Sequence, residues 1–277
     1  MTSVDSALPP SPFALGSFRY LITDMDGVLW RGPEPMPGLV EFIRFLRDRA
    51  IKFVCATNNP STLAGKLAER LCGWGAAVSP AEIVTSATAT ADYLATSLPP
   101  GSRLYVIGME GLRAPLLECG FELADRDVAA VVVGIDWNVT YNQLKQAALL
   151  IRAGAKFIGT NSDRTFPTPE GIIPGNGALL ALLETATDVK PIVMGKPEPV
   201  LYEMALKRLR AVPDQTLVLG DRLETDILGA VRLNLKSALV LSGVTTRAEL
   251  AASDYQPDRV FDDIADLTRQ WAMSQAP

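Results

Sequence analysis

The chain has no histidine among its 277 residues. That absence excludes Ser-His-Asp and Cys-His nucleophilic machinery, phosphohistidine chemistry and histidine-based zinc sites. Any hydrolysis has to run on carboxylates, lysine, hydroxyls and a metal. Cysteine is scarce too. Cys55, Cys72 and Cys119 are scattered with no C-x-x-C pair, the pattern of reduced thiols in a cytoplasmic protein. Basic clusters are missing, and a net charge of −5 with a pI near 5.0 argues against a nucleic-acid partner. The longest apolar runs, such as residues 129–135, are too short to span a bilayer, so no membrane association is expected. The N-terminus, with Pro9, Pro10 and Pro12, lacks the positive charge and apolar block of a signal peptide. Residues 1–15 read as a loose tail.

A hydrophobic content of 48% is ample for a core, and the length suits one or two domains. Strand-like apolar runs at 18–23, 51–57, 103–107, 129–134, 156–159, 191–194, 216–219, 237–241 and 259–261 alternate with amphipathic stretches. In 38–49, Leu39, Phe42, Ile43 and Leu46 recur at helical spacing, and 141–153 and 199–210 read likewise. The alternation predicts α/β architecture, a parallel sheet with covering helices and ligands outside the carboxyl ends of its strands. Two such layers are expected, one interrupting the other.

Four short segments end or follow predicted strands. Asp24-Met25-Asp26-Gly27 puts two carboxylates in a glycine-containing loop, where a hard divalent cation would relieve their repulsion. A calcium loop is excluded, because its glycine and glutamate positions fall on Leu29 and Pro35. Thr57-Asn58-Asn59-Pro60 offers a hydroxyl and backbone N–H groups to a phosphate, although alone it reads better as a helix N-cap. Gly195-Lys196-Pro197 supplies an ammonium that could bridge phosphate oxygens and an attacking carboxylate. It is no Walker A lysine, since Lys190 stands where that motif needs glycine. Gly220-Asp221-Arg222-Leu223-Glu224-Thr225-Asp226 brings three more acids; alone it would be a solvated helix start. Each segment has an ordinary structural explanation, but their joint occurrence at strand ends does not.

The order D-x-D-G, T-N, G-K-P, G-D-x-x-x-x-D resembles the haloacid dehalogenase (HAD) superfamily of phosphotransferases. Residues 220–227, Pro174-Gly175-Asn176-Gly177-Ala178-Leu179 and Thr160-Asn161-Ser162-Asp163 are similar to its subfamily of p-nitrophenylphosphatases, phosphoglycolate phosphatases and pyridoxal phosphate phosphatases. The resemblance implies a Rossmann-like core over 1–85 and 191–277 and an inserted α/β cap over 86–190. It implies a Mg²⁺-dependent phosphomonoesterase acting on a small phosphorylated metabolite, with p-nitrophenyl phosphate as a surrogate. A regulatory protein that binds without turnover and a phosphotransferase to an alcohol are the alternatives.

By the same resemblance Asp24 is the nucleophile that forms an aspartyl-phosphate, and Asp26 the general acid and base. Asp24, Asp221, Asp226 and the backbone carbonyl of Asp26 hold the metal. Thr57 and Asn58 bind the phosphate, and Lys196 stabilises it. Asp26 excludes ion-pumping ATPase-like and dehalogenase-like members, which lack an acid there. Asn161 and Asp163 fall near the substrate, with Asp163 equally readable as a turn residue. Phe166 stands near where the pyridoxal phosphate enzymes carry histidine, which argues against that substrate; its ring either stacks on a substrate or packs in the cap. Trp30 either lines the entrance or belongs to the core. A homodimer through the cap is expected by analogy.

Overall fold

The computed structural model describes residues 13–168 and 170–274. Six parallel strands form the first sheet, in the order Arg259–Phe261, Lys236–Val240, Thr216–Gly220, Tyr20–Thr23, Lys52–Thr57 and Ile83–Thr85. Tyr20–Thr23 is the switch point. The chain builds outward on one side with Lys52–Thr57, then on the other with Thr216–Gly220. A crevice at such a point is where α/β sheets bind ligands.

Both faces of this sheet are covered, which explains its unbroken apolar strands. Successive side chains serve opposite faces. Leu21, Phe53, Cys55, Leu217 and Leu219 enter one core with helices Leu39–Asp48, Ala64–Gly73 and Ile264–Ser274. Ile22, Val54, Ala56 and Val218 enter the other, beneath helix Pro199–Leu209. The helical spacing in 38–49 does what it predicts, burying Leu39, Phe42, Ile43 and Leu46.

A second sheet has the order Ile192–Val193, Lys156–Gly159, Ala130–Val133, Arg103–Ile107 and Glu122–Leu123, again parallel. It too is double-faced, with Val106 and Val132 in one cluster and Ile107 and Val133 in the other. Helix Ser86–Ser97 serves both units. Its Ala89 packs in the first unit's core, while Ala87, Ala91 and Leu94 pack in the second's.

Three features differ from the sequence reading. Strand Ile192–Val193, expected in the core, pairs with Lys156–Gly159 in the second sheet, because its apolar run carries no mark of which sheet it joins. The expected cap limit at 190 thus falls short of the last second-sheet strand. Residues 161–174, where the sequence reading places no strand, contain an antiparallel hairpin, Thr165–Thr168 with Gly171–Pro174. Most of the expected tail lies outside the described residues, but Phe13 and Leu15 pack on the first core, with the Phe13 ring 5.3 Å from Phe18. Among the described residues, no helix is long and apolar enough to cross a membrane.

Candidate active site

The switch point gathers three of the four segments at strand ends. Thr23 is in register with Leu219 and Cys55 on its two neighbours. Asp24 is therefore the first residue past the central strand, its N–H donating to the Leu219 carbonyl at 2.8 Å. Asp221 follows Thr216–Gly220, and one wide helical turn, Leu223–Ile227, brings Asp226 back over the strand end. The Ile227 N–H reaches the Arg222 carbonyl at 3.2 Å, an i to i+5 bond of the kind that recurs at functional sites. Asp226 Oδ2 accepts the Arg222 N–H at 3.1 Å. The Tyr202 hydroxyl lies against this turn, 3.1 Å from the Thr225 carbonyl oxygen and 3.2 Å from that of Asp226.

Carboxylate oxygens of Asp24, Asp221 and Asp226 lie within 4.8 Å of one another. Lys196 arrives from the second sheet and donates at 2.7 Å to Asp24 Oδ1, at 2.7 Å to Asp226 Oδ1 and at 3.1 Å to the Ala56 carbonyl. Those three bonds use all three ammonium hydrogens. Of the phosphate oxygens and attacking carboxylate that this lysine is expected to bridge, the structure has it on the carboxylate, Asp24, with Asp226 as a second carboxylate partner. Burial opposes its charge, yet Asp226 and Asp24 override burial and push the ammonium well above its ordinary range. Burial likewise raises the Asp24 carboxyl well above the usual range, against the pull of Lys196. Asp221 is pushed up to about 6 by burial and the neighbouring Asp226.

The site fits a divalent cation. Three carboxylates and one ammonium give it a formal charge of two negative when every group is ionised. Asp221 Oδ2 accepts the Val244 N–H at 2.7 Å, but Asp221 Oδ1 is buried without a hydrogen-bond partner, and such an atom is costly unless something ligates it. Only oxygen ligands converge here, the preference of Mg²⁺ or Ca²⁺. Two glycines allow the approach. A Cβ on Gly27, which has φ +81°, would lie 2.4 Å from Asp221 Oδ2, and one on Gly243 only 1.9 Å from it.

The Asp26 carboxylate stands outside this cluster and is exposed. Its Oδ1 accepts the Trp30 indole N–H at 2.5 Å. Trp30 is 1% exposed, so of its two readings the core one holds, with the added task of orienting Asp26. Thr57 is buried, and its hydroxyl oxygen accepts the Asn59 N–H at 3.1 Å. The Asn58 side chain, expected on phosphate, is instead bonded to the Lys196 backbone and to Asp163. Asn161 is also buried, donating to the Asn58 carbonyl at 2.8 Å and accepting the Asp163 N–H at 3.1 Å. It joins the two units at this point and faces no open space. Asp163 does approach the cluster, with burial raising its carboxyl and Asn58 opposing that rise. Phe166 packs on Trp137, ring centroids 5.3 Å apart. Sequence reasoning missed Tyr202 and Ser86, whose hydroxyl donates to the Asn58 carbonyl at 2.6 Å. Neither differs by pattern from an ordinary helix residue.

A family model for haloacid dehalogenase-like hydrolases matches residues 21–122, and a HAD-hydrolase-like model matches 193–267. A 5'-nucleotidase, YutF of Bacillus subtilis, is 35% identical over 250 residues, covering 90% of this chain and 97% of the relative. The chain belongs to the haloacid dehalogenase-like hydrolases. Among solved structures, a 4-nitrophenylphosphatase from Thermotoga maritima superposes with a TM-score of 0.88 at 30% identity, over 92% of this chain and 98% of that one. A glycerol phosphate phosphatase from Mycobacterium tuberculosis in complex with magnesium superposes with a TM-score of 0.85 at 35% identity, over 93% and 78%. The chain is a HAD phosphatase of the cap-containing subfamily, and its reaction is phosphomonoester hydrolysis.

Proposed function

We propose that this phosphatase hydrolyses a small phosphorylated metabolite through an aspartyl-phosphate on Asp24, with Mg²⁺ as cofactor. The observation that carries the reading is the convergence of Asp24, Asp221, Asp226 and Lys196 at the switch point of the sheet. The magnesium complex of the mycobacterial relative supports the choice of metal. Asp24, Asp221 and Asp226 would hold the ion, which when bound offsets charge on the transferring phosphoryl group.

An Asp24 carboxylate oxygen attacks phosphorus, and the bond from phosphorus to the ester oxygen breaks. Asp26 gives its proton to the departing oxygen. The carboxylate so formed then takes a proton from water as the water oxygen attacks phosphorus. The bond to Asp24 breaks, inorganic phosphate leaves, and both aspartates regain their starting states. Lys196 donates to Asp24 Oδ1 and opposes the rise that burial gives that carboxyl. The Thr57 hydroxyl accepts from Asn59 and keeps its own hydrogen for a phosphate oxygen.

The leaving group would face the second unit, whose segment 161–174 is neither strongly basic nor histidine-bearing, so charge there selects no single metabolite. A homodimer through that unit belongs to the proposal, since Tyr141 and Ile172 are exposed there at 82% and 77%; light scattering on Ile172→Asp tests it, and an unchanged mass removes Ile172 from any interface. The central test is p-nitrophenyl phosphate hydrolysis with and without Mg²⁺, using Asp24→Asn as control. Turnover is expected to vanish in the variant, and undiminished turnover overturns the mechanism.

A further inference from the structure

Asn58 is bonded at every polar atom of its side chain. Its Oδ1 accepts the Lys196 N–H at 2.7 Å, and its Nδ2 donates to the Lys196 carbonyl at 3.0 Å. The amide thus pairs with both backbone groups of one residue, as a neighbouring strand would. The second Nδ2 hydrogen goes to Asp163 Oδ1 at 3.2 Å. Turning the amide over would set Oδ1 against the Asp163 carboxylate and the Lys196 carbonyl, and Nδ2 against the Lys196 N–H, so Asp163 reinforces the orientation that the Lys196 backbone selects. The Asn58 backbone is held too, its carbonyl accepting from Ser86 Oγ at 2.6 Å and from Asn161 Nδ2 at 2.8 Å. Close approach is built in. A Cβ on Gly195 would lie 2.6 Å from Asn58 Oδ1 and 2.7 Å from the Thr160 carbonyl oxygen.

We infer that Asn58 and Asp163 are positioning residues for Lys196. Asp163, from the second unit, reinforces the Asn58 amide orientation; the amide sets the Lys196 backbone; Lys196 Nζ sets the Asp24 carboxylate at 2.7 Å. The chain of contacts makes the docking of the second unit part of what aims the nucleophile. Neither side chain is spent on the phosphate. The inference rests on the roles proposed above for Asp24 and Lys196, and the test keeps the two apart.

Asp163→Ala removes the acceptor that reinforces the Asn58 orientation. Loss of one hydrogen bond to a charged group predicts a fall in kcat of about 10-fold or more, with KM within about 2-fold. Asp163→Asn still presents an oxygen to Asn58 and recovers most of the loss. Asp163→Leu fills the volume without an acceptor and carries the test if the alanine variant melts below the assay temperature. Because the effect travels through Lys196, the loss is expected to be the same for p-nitrophenyl phosphate and for glycerol phosphate. An unchanged kcat, a change in KM alone, or a loss confined to one leaving group overturns the inference, the last by placing Asp163 on substrate. If Asp24→Asn keeps full turnover, the mechanism itself fails and the inference falls with it. If Asp24→Asn is inactive while Asp163→Ala is unimpaired, only the inference fails.

Discussion

Replacing Lys196 with methionine removes a buried charge while nearly keeping the volume. Lys196 is 3% exposed and bonded at 2.7 Å to both Asp24 and Asp226. Its loss takes the formal charge of the fully ionised cluster from two to three negative. Breaking a buried ion pair by deleting one partner costs about 3–5 kcal/mol. At roughly 2–4 °C per kcal/mol for a chain of this size, the metal-free protein should melt about 10 °C lower. The deficit depends on pH. A carboxyl whose folded pKa lies above its unfolded value stabilises the fold below the unfolded value, and that contribution is lost as pH rises through the folded value. Asp24 and Asp221 are such groups, Asp221 at about 6, and removing the ammonium moves both further up. The deficit is therefore greatest near pH 8 and shrinks towards pH 5, by about 1.4 kcal/mol per pH unit for each extra proton the folded variant holds. Thermal melts in EDTA from pH 5 to 8, repeated with Mg²⁺, read this directly, and the cation should recover part of the loss. A deficit below about 1 kcal/mol, as for an exposed pair, or one that does not vary with pH, refutes the reasoning.

Asp221→Asn should raise the EDTA melting temperature, because it removes one of three crowded buried carboxylates, while abolishing the further rise on adding Mg²⁺; a variant that keeps the Mg²⁺-induced rise excludes Asp221 as a ligand. Gly243→Ala places a methyl 1.9 Å from Asp221 Oδ2 and should cost about 1–3 kcal/mol in denaturant melts together with a loss of Mg²⁺ affinity by calorimetry. Asp26→Asn should lower kcat by about 10²–10⁴ for alkyl phosphates and by much less for p-nitrophenyl phosphate, whose leaving group needs little protonation; equal losses would remove Asp26 as the acid. Trp30→Phe, which removes the indole N–H on Asp26 together with part of a buried ring, should show the same leaving-group dependence in weaker form.

The sequence shows some parts of the site openly because their chemistry is local. A carboxylate pair at the end of a buried strand advertises itself, and so does a second acidic loop after an equally apolar run. The double-faced strands are legible for the same reason, as Leu21 and Ile22 had to be apolar to enter opposite cores. Trp30 and Asn58 are different. An indole reads equally well as core or rim, and an asparagine after a strand reads equally well as a cap. Their partners settle them, and the Asn58 partners Lys196 and Asp163 lie 138 and 105 residues away.

By itself, the sequence determined which chemistry is possible here: no histidine, a D-x-D-G turn, a lysine and a second acidic loop on parallel strand ends. Residue type and strand periodicity suffice for that. Only the tertiary structure decided that Ile192–Val193 joins the second sheet, that Lys196 spends its ammonium on two carboxylates, and that Asn161 lies in the joint between the units. Apolar periodicity encodes burial but not the partner buried against, and hydrogen bonds across more than a hundred residues form only once both units have closed over the same crevice.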